Sequence, residues 1–150
     1  MMIRLLTLLL FLVVTTHSFS QSATFHFTFD HQAIMVKDLT KSADFYQDIL
    51  GLEEIDNKTG NPQIRWFSLG EGKSIHLITG DNSKVVINKT IHLALRTPDF
   101  DAFVKHLKEQ KIEFWDWEGE RGKVAIRKDN AKQVYIQDPD GYWIEINNDL

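Results

Sequence analysis

Three histidines and one glutamate occupy matching positions in a pattern that occurs twice along this chain. His31 and His92 each begin a His-x-Ala-aliphatic segment, and each segment leads to an Asp followed by an apolar residue. His76 and Glu145 lie in the last strand-like segment of each copy. Imidazole nitrogens and a carboxylate together suit a divalent ion such as zinc, nickel, cobalt, manganese or iron(II). The pattern therefore predicts one metal site with these four residues as ligands.

Two copies of one structural unit account for this repetition. Each copy begins with a strand, continues into a segment whose apolar residues recur at helical spacing, and ends in three further strand-like segments. Asp38 or Thr40 is expected to cap the first helix and Gly51 to end it. The pattern predicts an α+β fold in which two paired βαβββ units form a curved mixed-sheet cup around the metal. The two units cover about residues 28–80 and 88–149.

The second copy differs from the first in the length of one connection. Residues 112–117 are expected to form its second strand, the sixth of the chain. A polar, glycine-containing segment, residues 118–131, follows and is expected to be a loop. The final hairpins of the two copies have equal lengths, so that Trp66 corresponds to Tyr135, as the two last-strand ligands correspond to each other.

Side-chain alternation along the strands predicts that the four ligands share one side of the sheet. In the fifth strand Leu93 faces the helices and His92 faces away, and Ile144 and Glu145 divide the eighth strand in the same way. The other two ligands fall on the same non-helical face. If the two units pair about a pseudo-twofold axis, all four ligands converge at the centre of the cup.

The N-terminal residues have a different character from the rest. A basic start, an apolar run over residues 5–14 and small residues at Ser18 and Ser20 have the layout of a secretory signal peptide. The run is too short to span a bilayer comfortably, although an uncleaved N-terminal anchor is the alternative. We predict a signal peptide over residues 1–20, and residues 21–150 as a single domain that is exported to the periplasm or secreted.

Composition excludes several functions. The chain has no cysteine, which rules out disulfides, thiolate metal sites and a cysteine nucleophile. Its net charge is only −4, and no run of five like charges points to nucleic acid. The expected partner is a small-molecule substrate, with no nucleic acid and no membrane after signal cleavage, and with a homodimer left open.

Four motifs resemble the vicinal oxygen chelate superfamily, which includes glyoxalase I, epimerases, extradiol dioxygenases and the bleomycin- and fosfomycin-resistance proteins. The motifs are Asp30-His31-x-Ala-Ile-x-Val-x-Asp-Leu, Ser42-x-x-Phe45-Tyr46-x-x-x-Leu50-Gly51, Ile91-His92-x-Ala-Leu and Tyr135-x-x-Asp138-Pro139-Asp140-Gly141-Tyr142-x-Ile144-Glu145. The resemblance covers about residues 29–148. It implies paired strand–helix–strands units around a metal held by His31, His76, His92 and Glu145. Glyoxalase I usually carries Glu at the position of His76, and epimerases tend to carry Gln.

The resemblance also implies a chemistry, in which a metal with open positions chelates two neighbouring substrate oxygens. Glu145, the one carboxylate among the ligands, is the candidate base and therefore the catalytic residue. Arg96, Trp66, Tyr135 and Trp143 are predicted to line the cup. Arg96 would hold an anionic substrate group or form a salt bridge at the rim. The aromatic rings would stack on a substrate ring or fill the cavity.

Three functions are compatible with the resemblance. The first is a metal-dependent lyase or isomerase of glyoxalase type, similar to lactoylglutathione lyase, for which His76 is a departure from the usual ligand set. The second is an iron-dependent dioxygenase, although three histidines and a glutamate leave fewer open positions for oxygen. The third is a non-catalytic binding protein for a toxin or antibiotic. Whether one chain or two chains build each metal site is left open by the sequence.

Overall fold

The computed structural model describes residues 25–149. Its elements are β1 (His31–Val36), α1 (Leu39–Asp44), a π-helical turn (Phe45–Ile49), β2 (Glu54–Ile55), β3 (Ile64–Gly70), β4 (Lys73–Thr79), β5 (His92–Arg96), α2 (Phe100–Glu109), β6 (Ala125–Ile126), β7 (Lys132–Gln137) and β8 (Trp143–Asn147). None of the helices in this range has the length and apolar character needed to cross a membrane. The signal peptide lies outside the described residues, so it and the export of the protein stay predictions.

The eight strands form two four-stranded mixed sheets of identical topology. Their strand orders are β1-β4-β3-β2 and β5-β8-β7-β6. In each sheet the first strand runs parallel to the last strand of its unit, and the remaining pairs are antiparallel. In each unit the helical segment connects the first strand to the other three strands. The predicted α+β fold of two βαβββ units is thereby confirmed, and both sheets are open rather than closed into barrels.

The core lies between the sheets and the helices and draws on both units. Alternation along the strands sends apolar side chains toward it, so that Ile34 and Val36 of β1 are buried while Met35 between them is exposed. The largest fully buried apolar side chains are Tyr46, Phe67, Phe100, Ile75, Leu77, Leu107, Ile136 and Ile144. Because these residues belong to a single hydrophobic cluster, the two units share one core.

The first helix begins and ends where the sequence predicts. Asp38 occupies the N-cap, and its side chain accepts a hydrogen bond from the backbone N–H of Lys41 (3.0 Å). After α1 the helix widens into a π-helical turn, in which the Leu50 N–H donates to the Phe45 carbonyl (3.2 Å). Gly51 ends the helix with a positive φ of 67°.

The predicted sixth strand is wrong in its position. Residues 112–117 form no strand, since only Trp115 forms backbone bridges, one of them with β7. The strand that pairs with the start of β7 is β6, which lies within the segment expected to be a loop. After Trp115 the chain turns away from the neighbouring strand β7. The cause is the buried Asp116 carboxylate, which accepts a hydrogen bond from the Glu120 N–H (2.7 Å) and closes a turn.

The turn between β7 and β8 ties the second unit to the first. Its Asp138 carboxylate is buried and accepts hydrogen bonds from the backbone N–H groups of Asp140 and Tyr142 (both 2.9 Å). The same carboxylate accepts a hydrogen bond from the Tyr46 hydroxyl of the first unit (3.1 Å), and Asp140 accepts one from the Ser42 hydroxyl (2.8 Å). Burial raises the pKa of Asp138 from its ordinary value of 3.8 to about 6, in spite of these donors.

This raised pKa predicts how stability depends on pH. The folded state binds the Asp138 proton more tightly than the unfolded chain does, so the ionised group opposes folding above pH 6, by up to about 3 kcal/mol. This cost fades as the pH falls toward 4. Asp138→Asn keeps an oxygen for the two backbone donors and removes the charge. We expect the variant to be the more stable protein at pH 7.5 and equal to the wild type near pH 4. Urea unfolding across this range checks the result, and a pH-independent difference would contradict it.

Candidate metal centre

His31 and His76 lie side by side on the non-helical face of the first sheet. His31 begins β1 and His76 lies in the neighbouring β4, with ring centroids 4.2 Å apart and an angle of 12° between the planes. On its other face the His76 ring stacks on Trp66, its cross-strand partner in β3, at 4.0 Å and 4°. His76 is buried, whereas the His31 side chain is 43% exposed. These three rings together with Ser74 are called the first half-site below.

Hydrogen bonds in the first half-site restrict which nitrogens remain free. The His31 Nδ1 lies 2.5 Å from the Asp30 carboxylate, which can only accept, so Nδ1 carries a hydrogen and Nε2 is the atom of a neutral ring that could bind a metal ion. The His76 Nε2 lies 2.9 Å from the Ser74 hydroxyl. Burial, and then the neighbouring His31, lowers the pKa of His76, so its ring is neutral at pH 7. A neutral imidazole is the form that binds metal ions.

His92 and Glu145 form a second pair, on the second sheet. His92 begins β5, Glu145 lies in β8, and the His92 Nε2 is 3.3 Å from the Glu145 Oε2. The buried carboxylate accepts hydrogen bonds from the Tyr135 hydroxyl (2.5 Å, at Oε2) and from the Asn147 amide (2.8 Å, at Oε1). The His92 Nδ1 donates to the Lys89 backbone carbonyl (2.8 Å). These five residues are called the second half-site.

The geometry of the second pair fits a shared metal ion. Because a carbonyl oxygen only accepts, the bond to Lys89 places the hydrogen of a neutral, metal-binding His92 ring on Nδ1 and leaves the lone pair of its Nε2 on the side of Glu145. Two ligand atoms each about 2.0–2.2 Å from a tetrahedral ion lie roughly 3.3–3.6 Å apart. The observed separation of 3.3 Å between His92 and Glu145 falls in that range. His31, His76, His92 and Glu145 therefore include donors of the right type, with outer partners that orient them.

Tyr135 holds the Glu145 carboxylate rather than standing apart from it. The two residues are cross-strand partners in β7 and β8, and Tyr135 is buried. Burial, followed by the hydrogen bond to Glu145 and its charge, raises the pKa of the Tyr135 phenol well above its ordinary value. The phenol therefore stays protonated and donates to Glu145 at all ordinary pH values.

Lys89 is a site residue that the sequence did not reveal. Its ammonium donates to the backbone carbonyls of Asp116 and Trp117 (2.9 and 3.0 Å). It also lies 5.0 Å from the Trp143 ring centroid and 5.4 Å from that of Tyr135. Trp143 thus contacts the Lys89 ammonium of the second half-site. Nothing in the polar segment before β5 distinguishes Lys89 from an ordinary surface lysine, because its contacts come from residues distant in the chain.

The two half-sites are not joined in the described part of a single chain. Within residues 25–149 no group of three or more His, Asp or Glu side chains is placed to hold a metal ion. A cavity of about 690 Å³ borders His31, His76 and Trp66, and every residue lining it belongs to the first unit. His92 and Trp143 border a different cleft, of about 420 Å³. The structure therefore brings the predicted ligands together as two pairs, and their convergence as four stays a prediction.

Arg96 lies apart from both half-sites. It is exposed at the end of β5 and borders a small cavity of about 180 Å³ that is lined mainly by apolar side chains, among them Leu50, Leu95 and Phe103. The arginine ion pairs found among residues 25–149 involve other arginines. The hydrogen bond from Lys73 lowers the pKa of the exposed Glu71, and the Arg96 charge contributes to this lowering. The predicted contact of Arg96 with an anion in the cup stays a prediction.

Comparison with known proteins identifies the family. Residues 28–146 match the Glyoxalase/Bleomycin resistance protein/Dioxygenase superfamily. Because this match spans most of the chain, the protein belongs to that superfamily, as the four sequence motifs had indicated.

Individual relatives differ in what they are known to do. An uncharacterized protein, YwbC of Bacillus subtilis, is 30% identical over 77% of this chain and 93% of its own length. A manganese-dependent 2,3-dihydroxybiphenyl 1,2-dioxygenase of Geobacillus genomosp. 3 is 31% identical, covering 81% of this chain but only 36% of the dioxygenase. The crystal structure of a lactoylglutathione lyase from Agrobacterium tumefaciens superposes with a TM-score of 0.62 at 19% identity, covering 81% of this chain and 93% of the lyase. This last likeness concerns the fold alone.

Proposed function

We propose that the protein is a divalent-metal-dependent enzyme, a lyase or isomerase of glyoxalase type, acting on a small substrate that is chelated through two adjacent oxygens. The observation that carries the proposal is the second half-site. There a histidine with its Nε2 lone pair free stands 3.3 Å from a buried carboxylate, and outer partners orient both side chains. The first half-site contributes His31, oriented by Asp30 in the same way.

In this proposal the ion, when bound, acts as a Lewis acid that stabilises negative charge developing on the two substrate oxygens. Glu145 is the base that removes a proton beside the substrate carbonyl. Its Oε2 would have to leave the metal partly or transiently in order to receive the proton, while the Tyr135 hydroxyl donates a hydrogen bond to the same oxygen. Asn147 holds the other oxygen, so the carboxylate turns little during the transfer. Trp66, which stacks on His76, and Trp143, which lies beside the Lys89 ammonium, are the aromatic rings proposed to line the site.

An iron- or manganese-dependent dioxygenase is the second candidate, and the 31% identity to a manganese-dependent dioxygenase supports it. A non-catalytic binding protein for a toxin or antibiotic is the third. The ligand set argues against the third, since four costly polar side chains, two on each sheet, are not needed for binding an apolar compound.

Metal analysis of the purified protein separates these functions. We expect one divalent ion per chain after dialysis against zinc, nickel, cobalt, manganese or iron(II), and we expect turnover of a 2-oxoaldehyde–thiol adduct to persist with redox-inert zinc or nickel. Turnover of a catechol with iron or manganese only would establish the dioxygenase instead. A protein that binds none of these ions and is indifferent to them would overturn both enzyme proposals.

The site is completed by a second copy of the chain. The cavity beside His31 and His76 has walls from the first unit only, so its open side is where a second unit of a partner copy fits. The first strands of the units, β1 and β5, are both sheet edges with one ladder partner each among the described residues. Exposed apolar side chains, Met35 and Ile91, lie at these edges. In this arrangement each ion is shared by His31 and His76 of one copy and by His92 and Glu145 of the other.

Mixing two inactive variants tests the shared site. His31→Ala and His92→Ala each remove one ligand from every site of a homodimer, so each variant alone is expected to lose its metal. Co-expressed with different affinity tags, they form a heterodimer in which one site is intact and the other lacks two ligands. We expect the heterodimer to bind one zinc ion. A site built within one chain would give no recovery, because every chain would still lack a ligand.

A further inference from the structure

Lys89 and three aromatic rings form a wall beside the second half-site. The Lys89 ammonium lies 5.0, 5.4 and 5.9 Å from the ring centroids of Trp143, Tyr135 and Trp117, respectively. A cation at this distance is attracted by the negative charge density on the face of an aromatic ring. The rings of Trp117 and Tyr135 also contact each other, with centroids 5.7 Å apart and 57° between their planes. These four residues are called the aromatic wall below.

The register of the second sheet places this wall on the face that carries the candidate ligands. Tyr135 of β7 lies directly opposite Glu145 of β8. Trp143 of β8 lies directly opposite His92 of β5. Side chains that lie opposite each other in neighbouring strands point to the same face, and so do those two residues apart in one strand, such as Trp143 and Glu145. Because Trp117 contacts the Tyr135 ring, it lies over this same face.

Trp117 differs from the other two rings of the wall in its exposure. Tyr135 is buried and its hydroxyl donates to Glu145, while the Trp143 ring packs edge-on against Trp115 (centroids 5.5 Å apart, 73° between planes). Trp117, in contrast, is 44% exposed. An indole ring that remains exposed beside a candidate metal site offers a surface on which a ring of a bound compound can pack.

Lys89 fixes Trp117 relative to the candidate ligands. Its ammonium donates to the backbone carbonyls of Asp116 and Trp117 (2.9 and 3.0 Å). Its own backbone carbonyl accepts the hydrogen bond from the His92 Nδ1 (2.8 Å). One residue therefore holds both the exposed indole and a candidate ligand. A surface that is ordered in advance loses little conformational freedom when a compound binds to it, which favours affinity.

We propose that Trp117 is a substrate-binding residue, and that the substrate carries a flat ring next to the two oxygens that chelate the metal. This inference rests on the proposed function and narrows the class of substrate. The Tyr135 ring contacts both the His92 ring (centroids 5.4 Å apart) and the Trp117 ring, so the width of one ring separates Trp117 from a candidate ligand. A ring attached to the chelated part of the substrate spans a gap of this size.

Calorimetric titration of the zinc-loaded protein with mandelate and with lactate tests the inference. Both acids present a hydroxyl and a carboxylate on adjacent carbons for chelation, and mandelate carries a phenyl ring where lactate has a methyl group. We expect the wild type to bind mandelate about 3- to 10-fold more tightly, the gain typical of one aromatic contact. Trp117→Ala should remove this preference and leave the affinity for lactate unchanged. Ile126→Ala, which shortens another exposed apolar side chain of the second unit, is the matched control and should keep the preference.

The two acids also separate failure of this inference from failure of the proposed function. Equal affinity for both acids in the wild type, or a preference for mandelate that survives Trp117→Ala, would overturn the inference, while the binding of lactate would leave the proposed chelation standing. Binding of neither acid to the zinc-loaded protein would overturn both. If Trp117→Ala fails to fold, the same comparison with Trp117→Leu decides, because leucine keeps an apolar side chain without a ring.

Discussion

Replacing Glu145 with glutamine is expected to abolish turnover while the protein keeps much of its metal. Glutamine retains an oxygen that can bind an ion and can still accept from Tyr135, yet it cannot take a proton. Loss of a general base typically lowers the rate by about 10²–10⁴-fold. The measurement is the turnover number on the substrate that the wild type converts, with the metal content determined on the same preparation.

One control and one contrary outcome define the meaning of that result. Asp138→Asn changes a buried carboxylate of the same hairpin that has no place in either half-site, and its turnover should equal that of the wild type. If Glu145→Gln instead loses turnover and metal in equal proportion, Glu145 is a ligand and another group is the base.

Replacing His92 with alanine is expected to weaken zinc binding by more than about 100-fold, since removing only an outer partner of a ligand already costs up to that factor. The variant loses the nitrogen that stands 3.3 Å from the Glu145 oxygen and leaves that carboxylate without its neighbour. Competition titration with a chelator of known affinity measures the effect. His106→Ala is the matched control, because His106 lies on α2, outside both half-sites, and its affinity should be unchanged. Comparable losses in the two variants would mean that His92 acts through the fold.

Much of the fold could be predicted because local patterns encode it. Alternation along β1 buries Ile34 and Val36 and exposes Met35, as a one-sided strand requires. The equal lengths of the two hairpins also matched Trp66 with Tyr135, and the structure pairs each with the last-strand residue of its unit, His76 and Glu145 respectively.

The sixth strand was misplaced because its position depends on tertiary contacts. The segment around Trp115 has the alternation of a strand, but Asp116 is buried and closes a turn with Glu120. The Lys89 ammonium then fixes the carbonyls of Asp116 and Trp117. None of these contacts is visible in a local pattern, because they join residues whose distance in space is set by the finished fold.

The sequence predicted which candidate ligands are neighbours on each sheet, whereas the metal site itself stays a prediction. Periodicity fixes which face of a sheet a side chain occupies, and this placed His31 beside His76 and His92 beside Glu145. It does not fix how two rigid units face each other, which decides whether the pairs meet within a chain or across a dimer. The hydrogen-bond partners of the ligands, such as Ser74 and Lys89, follow from close packing and carry no signal of their own.

The most direct test of the account is a crystal structure of the metal-loaded protein with anomalous diffraction recorded on both sides of the metal's absorption edge. The account predicts one anomalous peak per chain, within bonding distance of His31 and His76 of one copy and of His92 and Glu145 of its partner. A peak held by other side chains, or no peak in a protein crystallised with saturating zinc, would contradict it.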